Sequence, residues 1–157
     1  MTAYSDADYA GDTETRRSTS GVIFMLNGGP ISWESTRQKS VSLSSTESEY
    51  VAATVAVKEL LWLKLLLSEI IDYKSVINLF IDNQSAIKLI KNPEFHKRSK
   101  HIDVRYHFIR EKFYEGLFNL EYVNTDEQLA DILTKGLLKG RYVKLRTLIG
   151  MKDLNYI

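Results

Sequence analysis

The sequence predicts an α/β fold, a mixed five-stranded sheet flanked by helices. Three β-type segments separated by turn residues crowd the first part of the chain. A long helical pattern follows, and beyond it two more β-type segments alternate with helical ones. At 157 residues the chain has the length of one domain and can bury roughly two-thirds of its unfolded surface. No linker, repeat or low-complexity stretch divides it, so residues 1–157 read as a single domain.

Thr2 to Asp6 reads as a short strand, followed by the turn-forming pair Gly11-Asp12. Ser20 to Leu26 and Ile31 to Glu34 are two further strands flanking Asn27-Gly28-Gly29-Pro30, which makes a hairpin meander. A helix starts at Ser45 or Thr46 and runs to about Ile70; Glu47 and Glu49 near its start, with Lys58 and Lys64 further on, agree in sign with the helix dipole. Ser75 to Ile81 is almost continuously apolar, the pattern of a central strand covered on both faces, and it stops abruptly at Asp82-Asn83-Gln84-Ser85. A short helix then runs to about Lys91 and is closed by Pro93, and a second spans about His101 to Glu115 before Gly116 stops it. Phe118 to Val123 is the fifth strand. Thr125-Asp126-Glu127-Gln128 has capping-box spacing and is expected to open another helix, and the tail from about Leu137 to Met151 is expected to be helical too. Trp33 and Trp62 are expected in the core rather than as base-stacking platforms.

Composition removes several kinds of chemistry. There is no cysteine, which excludes disulfides, thiolate-bound zinc, iron–sulfur ligation and a cysteine nucleophile. The most apolar stretch, Tyr50 to Ile70, is interrupted by Lys58, Glu59, Lys64 and Glu69 and cannot cross a bilayer as an uninterrupted apolar helix. No secretory signal is legible at the N-terminus, so an intracellular protein is expected. The net charge of +1 conceals a segregation: residues 1–50 carry four basic and seven acidic side chains, 96–116 carry six and three, and 135–157 carry six and one. An acidic pole beside basic segments suits a protein that holds metal cations next to a polyanion, and equally a protein whose charges are merely solvated.

The acids differ in where their elements deliver them. Asp82 follows a buried central strand and so reaches the carboxyl edge of the sheet, where open α/β sheets bind ligands; its bland explanation is a cap for the next helix. Glu47 and Glu49 point about 200° apart on a helix, so one pocket takes only one of them. Glu49 shares its face with Ala52, Ala53, Ala56, Leu60, Leu63 and Leu67, whereas Glu47 faces the side of Thr54 and Lys58 and suits a first-turn acid. Asp6 and Asp8 share one face of an extended segment, and Asp6 ends the better strand. Such acids gathered at one sheet edge would repel one another unless cations neutralise them, and oxygen-only ligands favour Mg²⁺ or Mn²⁺.

The ordered blocks Tyr4-Ser5-Asp6-Ala7-Asp8, Arg16-Arg17-Ser18-Thr19-Ser20-Gly21, Ile31-Ser32-Trp33, Leu43-Ser44-Ser45-Thr46-Glu47-Ser48-Glu49-Tyr50, Asp82-Asn83-Gln84-Ser85-Ala86, Lys100-His101-Ile102-Asp103-Val104-Arg105-Tyr106-His107 and Leu129-Ala130-Asp131-Ile132-Leu133-Thr134-Lys135 cover nearly the whole chain. Together they resemble the ribonuclease H domain of a copia-type LTR retrotransposon Pol polyprotein. The resemblance implies a ribonuclease H-like fold and an Asp-Glu-Asp-Asp set, here Asp6, Glu49, Asp82 and Asp131, binding two Mg²⁺ ions, with Mn²⁺ able to substitute. It also implies hydrolysis of the RNA strand of an RNA–DNA hybrid by in-line displacement between the two ions. Read from the residues alone, Asp131 is explained as well by a surface ion pair with Lys135 at i+4, and Asp126 is its rival as fourth acid. Cellular ribonucleases H carry a histidine in the loop before the last acidic helix; Val123 to Asp126 has none.

His101 and His107 lie about 120° apart on their helix and make no metal pair. Ile102, Tyr106, Ile109 and Phe113 form that helix's apolar stripe, while Arg98, Arg105 and Lys112 line up beside it as phosphate contacts or as a solvated face. By resemblance, Ser45, Thr46, Asn83 and Gln84 are the polar residues placed to touch the hybrid, whose shape and 2′-hydroxyls are read rather than its sequence. Arg16 and Arg17 either clamp phosphates or belong to the turn of the first hairpin. The chain begins almost at its first strand, so the reverse transcriptase polymerase domain that the resemblance places upstream lies outside it, and the resemblance puts the parent polyprotein in cytoplasmic virus-like particles. The alternative from another functional class is a nucleic-acid-binding module that keeps the fold and does not cleave.

Overall fold

The structure, a computed structural model, describes residues 1–92 and 100–152, the side chains of 100–106 excepted. Strands β1 (Thr2–Ala7), β2 (Thr19–Leu26) and β3 (Gly29–Arg37) form the meander. Helix α1 (Ser45–Ile71) crosses to β4 (Ile77–Ile81), followed by α2 (Gln84–Lys91), α3 (Lys100–Tyr114) and β5 (Phe118–Tyr122). Two 3₁₀ segments, Thr125–Glu127 and Leu129–Leu133, precede α4 (Lys139–Leu148). The sheet order is β3-β2-β1-β4-β5, antiparallel across the first two pairings and parallel across the last two. The predicted mixed five-stranded sheet is therefore present.

Both faces of the sheet are covered, and β2 shows how. Val22 and Phe24 join Ala3, Leu79 and the α1 residues Ala53, Ala56 and Leu60 on one side, while Ile23 and Met25 join Leu129, Ala130, Leu145 and Ile149 on the other. The small residues Ala52, Ala53 and Ala56 are fully buried, which lets the start of α1 lie close against β1 and β2. Gln38 fixes that approach from a buried position: its Nε2 donates to Ser20 Oγ and to Ser48 O, both at 2.9 Å, and its Oε1 accepts from Ser42 Oγ at 3.1 Å. Among the described residues, no helix is long and apolar enough to cross a membrane.

Three expectations about local structure need correcting. The hairpin turn is confined to Asn27 and Gly28, both at positive φ (51° and 81°), as a type I′ turn requires, and Gly29 and Pro30 already belong to β3. Pro30 is tolerated there because β3 is an edge strand. The helix expected from Thr125 is instead the pair of 3₁₀ segments: Asn124 caps the first, and Gln128, fully buried, donates to Ser5 O at 3.0 Å rather than reaching back to a cap. Trp33 and Trp62 are not core residues but 63% and 54% exposed. Trp33 borders an apolar hollow of about 390 Å³ with Ile23, Pro30 and Leu133, because edge strand β3 is incompletely covered. The predicted stripe on α3 is described only at Ile109, which is fully buried, and Phe113, which packs against the core; Ile102 and Tyr106 lie outside the described side chains.

Gly21 faces Asp6 across the β1–β2 ladder, and the segment Leu129–Leu133 packs directly over it. A Cβ at residue 21 would stand 2.6 Å from Thr134 Cγ2 and 2.8 Å from the Ala130 carbonyl oxygen, so Gly21→Ala must displace backbone. We expect about 1–3 kcal/mol of lost stability, read from chemical denaturation. A wild-type midpoint in Gly21→Ala would show that the contact has slack.

Candidate metal centre

Parallel pairing sets the spacing of the first two acids. Thr2, Ala3 and Tyr4 stand opposite Asn78, Leu79 and Phe80, and the same offset carried onward puts Asp6 level with Asp82. The buried turn around Gln38 then hangs the start of α1 above that edge. Ser44 caps the helix, accepting from Glu47 N–H at 3.2 Å, and Glu47 reaches back to accept from Leu43 N–H at 2.8 Å. With Glu47 so committed, Glu49 turns inward on the alanine face and is 6% exposed.

One carboxylate oxygen from each of Asp6, Glu49 and Asp82 lies within 4.8 Å of the others. Glu49 Oε2 is buried and has no hydrogen-bond partner. Burial first, then the charges of Asp6 and Asp82, push the Glu49 carboxyl well above the usual carboxylate range, with the Ala7 amide pulling the other way. A buried acceptor without a donor, facing two more carboxylates, fits a hard divalent cation with oxygen ligands.

Asp82 is free for such a role because Asn83 caps α2, its Oδ1 accepting from Ala86 N–H at 3.0 Å. Asp82 Oδ2 accepts from Thr125 Oγ1 at 2.8 Å, and Asp6 Oδ2 accepts from Thr134 Oγ1. Asp8 is directed elsewhere, its carboxylate accepting from Thr19 N–H and closing the β1–β2 loop over Gly11.

Asp131 lies beside Asp6 but outside the three-acid set. It is fully buried; Lys135 Nζ is 2.8 Å from its Oδ1 and 3.6 Å from Asp6 Oδ2, and Arg141 Nη2 donates to its Oδ2. The pair with Lys135 foreseen at the surface is thus buried at its acidic end. Burial and the Asp6 charge push the Asp131 carboxyl up to about 7, against the pull of Lys135. An α-helical wheel misdirects Asp131 because a 3₁₀ segment turns about 120° per residue. The rival, Asp126, is exposed.

The proposed substrate contacts are dispersed. Arg16 and Arg17 are exposed in the loop that leaves the Asp6 end of β1, a loop closed by Asp12, which accepts from the amides of Glu14 and Thr15. Ser45 and Thr46 occupy the first turn of α1, and Thr46 borders a hollow of about 220 Å³ with Ser85 and Lys88. Gln84 is exposed at the start of α2, beside the capping Asn83. Lys112 is not brought to the acids: its carbonyl accepts from Leu117 N–H just before β5, at the opposite edge of the parallel strands, and its ammonium pairs with Glu111 and Glu115. Arg98 lies outside the described residues, as does the side chain of Arg105. Nothing in the sequence pattern marks Thr125, Thr134 or Arg141 as partners of the acids. Thr134 adjoins Lys135 within a recognised block, whereas Arg141 was marked only by the basic tail.

The raised carboxyls predict how metal and pH couple. The unfolded chain releases these protons near pH 3.8 for Asp131 and 4.5 for Glu49 while the folded chain keeps them, so both groups lower stability as pH rises, for Asp131 until about 7. A divalent cation held by these acids would favour their ionised form, so any increment in Tm from Mg²⁺ should be larger at about pH 7.5 than at about pH 5. Melts with no Mg²⁺ or Mn²⁺ increment at either pH would count against a preformed site.

No family model matches the chain. Over 151 residues, 96% of this chain, it is 44% identical to the Retrovirus-related Pol polyprotein from transposon TNT 1-94 of Nicotiana tabacum. Over 150 residues, 95% of the chain, it is 44% identical to the corresponding polyprotein from transposon RE2 of Arabidopsis thaliana. It spans about a tenth of those relatives, 11% and 10% of their lengths. Among solved structures it resembles LC11-RNase H1 in complex with RNA/DNA hybrid, with a TM-score of 0.62 at 12% identity, covering 85% of this chain and 92% of that one. That likeness shows the fold.

Proposed function

The chain belongs to the ribonuclease H domains of copia-type retrotransposon Pol polyproteins, and from that membership we propose that it is a metal-dependent endonuclease hydrolysing the RNA strand of RNA–DNA hybrids during reverse transcription. The observation that carries the reading is the convergence of Asp6, Glu49 and Asp82 around a buried, partnerless Glu49 oxygen. Asp6, Glu49 and Asp82 would hold the catalytic cation, with Asp131 as the fourth acid. Bound Mg²⁺, as two ions or with Mn²⁺ in their place, would supply an activated water and a neutralised leaving oxygen.

The protein's own groups orient that chemistry. Thr125 and Thr134 each donate to one oxygen of Asp82 and Asp6 and so fix the direction of the other. Ser45, Thr46, Asn83 and Gln84 flank the acids on two helix starts, where they can meet 2′-hydroxyls and phosphates of the hybrid. Arg16 and Arg17 extend this contact along the backbone as exposed cations. The remaining Pol polyprotein, including its polymerase domain, is the covalent partner, and cytoplasmic virus-like particles are the proposed setting.

The deciding assay uses 5′-labelled RNA in an RNA–DNA hybrid. Shortening with Mg²⁺ and none with chelator is expected. Hybrid binding without cleavage in either condition would replace the enzyme with a nucleic-acid-binding module of the same fold.

A further inference from the structure

Among the described residues, four carboxylates face two cations at this site. Asp6, Glu49, Asp82 and Asp131 carry four negative charges when ionised, and Lys135 and Arg141 return two positive ones. The remainder, two negative charges, is matched by a single divalent ion. The distribution is uneven as well. Each oxygen of Asp131 has a cation against it, Lys135 ion-paired to Oδ1, which makes no hydrogen bond, and Arg141 donating to Oδ2, whereas the buried Glu49 Oε2 has neither a hydrogen bond nor an ion pair. Arg141 uses the same Nη2 to reach the Thr125 carbonyl, and Thr125 in turn donates to Asp82, so one guanidinium ties the fourth acid to the third.

We propose that Lys135 and Arg141 are built-in counter-ions that hold Asp131 off the metal in the hybrid-free domain, leaving Asp6, Glu49 and Asp82 to bind one divalent ion, and that phosphates of the hybrid draw the two cations away and release Asp131 for a second. The hybrid part of this rests on the function proposed above. The two side chains keep 38% and 27% of their surface in contact with solvent while Asp131 keeps none, so a phosphate can approach the cations without first reaching the acid. Arg141 Nε is buried with no hydrogen-bond partner, leaving a guanidinium donor free to gain when a forked phosphate partner arrives. Arg141 and Lys135 are therefore positioning residues for Asp131, and ion stoichiometry becomes a property of the complex.

The test is calorimetric titration of Mn²⁺ into the hybrid-free protein at about pH 8, well above the ordinary carboxylate range. The wild-type chain should take one ion. Arg141→Met and Lys135→Met should take a second, or bind the first at least about tenfold more tightly, since each removes a positive charge beside the acids. Arg141→Lys keeps the charge and should retain the wild-type count. With Ca²⁺ as the titrant, whose looser geometry need not orient a water for attack, adding an intact RNA–DNA hybrid should raise the wild-type count to two. Two ions in the wild type without hybrid would overturn the proposal. So would methionine variants whose titrations superimpose on wild type, or Arg141→Lys behaving as Arg141→Met. Circular dichroism checks folding, and Lys135→Met carries the same expectation if Arg141→Met does not fold. These counts do not depend on turnover, so an inactive wild type would sink the proposed nuclease and leave them standing, while a cleaving enzyme with unaltered counts would sink only the counter-ions.

Discussion

Glu49→Gln is expected to lower cleavage of an RNA–DNA hybrid by at least about a hundredfold, and Glu47→Gln by far less. The two glutamates share a helical turn, so a loss of charge acts on the helix dipole almost equally in both variants and cancels in the comparison. Their surroundings do not cancel. Glu47 accepts the Leu43 amide at the helix entrance, and a glutamine there keeps a carbonyl oxygen able to do the same. Glu49 faces Asp6 and Asp82 from a buried position, and its amide would have one weak ligand oxygen where a carboxylate had two. Single-turnover rates, with folding verified by circular dichroism, decide the matter. Equal losses in the two variants would remove Glu49 from the metal centre.

Asp82→Asn should reduce cleavage by at least about a hundredfold and at the same time raise the thermal midpoint of the metal-free protein. The two effects arise from one charge. The Asp82 carboxylate is one of the groups that push the Glu49 carboxyl upward, so its removal relieves a repulsion that folding otherwise imposes. Asparagine retains an oxygen for the Thr125 hydroxyl, and the α2 cap is unaffected because Asn83 supplies it. With Mg²⁺ present the order of the midpoints should narrow or reverse, since the variant binds the ion less well. A folded Asp82→Asn protein cleaving at the wild-type rate would show that residue 82 is outside the chemistry.

The parts of the fold that were legible in the sequence are those decided by local pattern. The apolar run before Asp82 identified an interior strand, although β1 and not β4 is the middle of the sheet and Asn78 and Phe80 leave one face of β4 half-buried; the serine-rich entry to α1 marked the helix start, and the wheel separated Glu49 from Glu47 because α1 is regular over its full length. What escaped was decided by contacts between distant residues. Gln128 is claimed by the Ser5 carbonyl, 123 positions away, and that bond turns an expected helix into 3₁₀ segments and rotates Asp131 inward. Arg141 resembled any cation of a basic tail until α4 folded over the Thr125 loop. Trp33 and Trp62 misled for the opposite reason, since their residue type favours burial and nothing in the local pattern shows that β3 is an edge strand or that residue 62 faces away from the sheet.

The parallel pairing of β1 with β4 acts as a ruler for the acids. Asp6 and Asp82 are level because one hydrogen-bonded register is held from Thr2 and Asn78 upward, and no loop length enters that distance. Insertions between Ile71 and Ile77 therefore leave the ruler untouched, and that connection is the place where a family can drift in length without losing its chemistry. A single deletion within β4 is of another kind. It would slide residue 82 back by about 3.3 Å along the strand onto the opposite face and put the Asn83 amide where the carboxylate had stood.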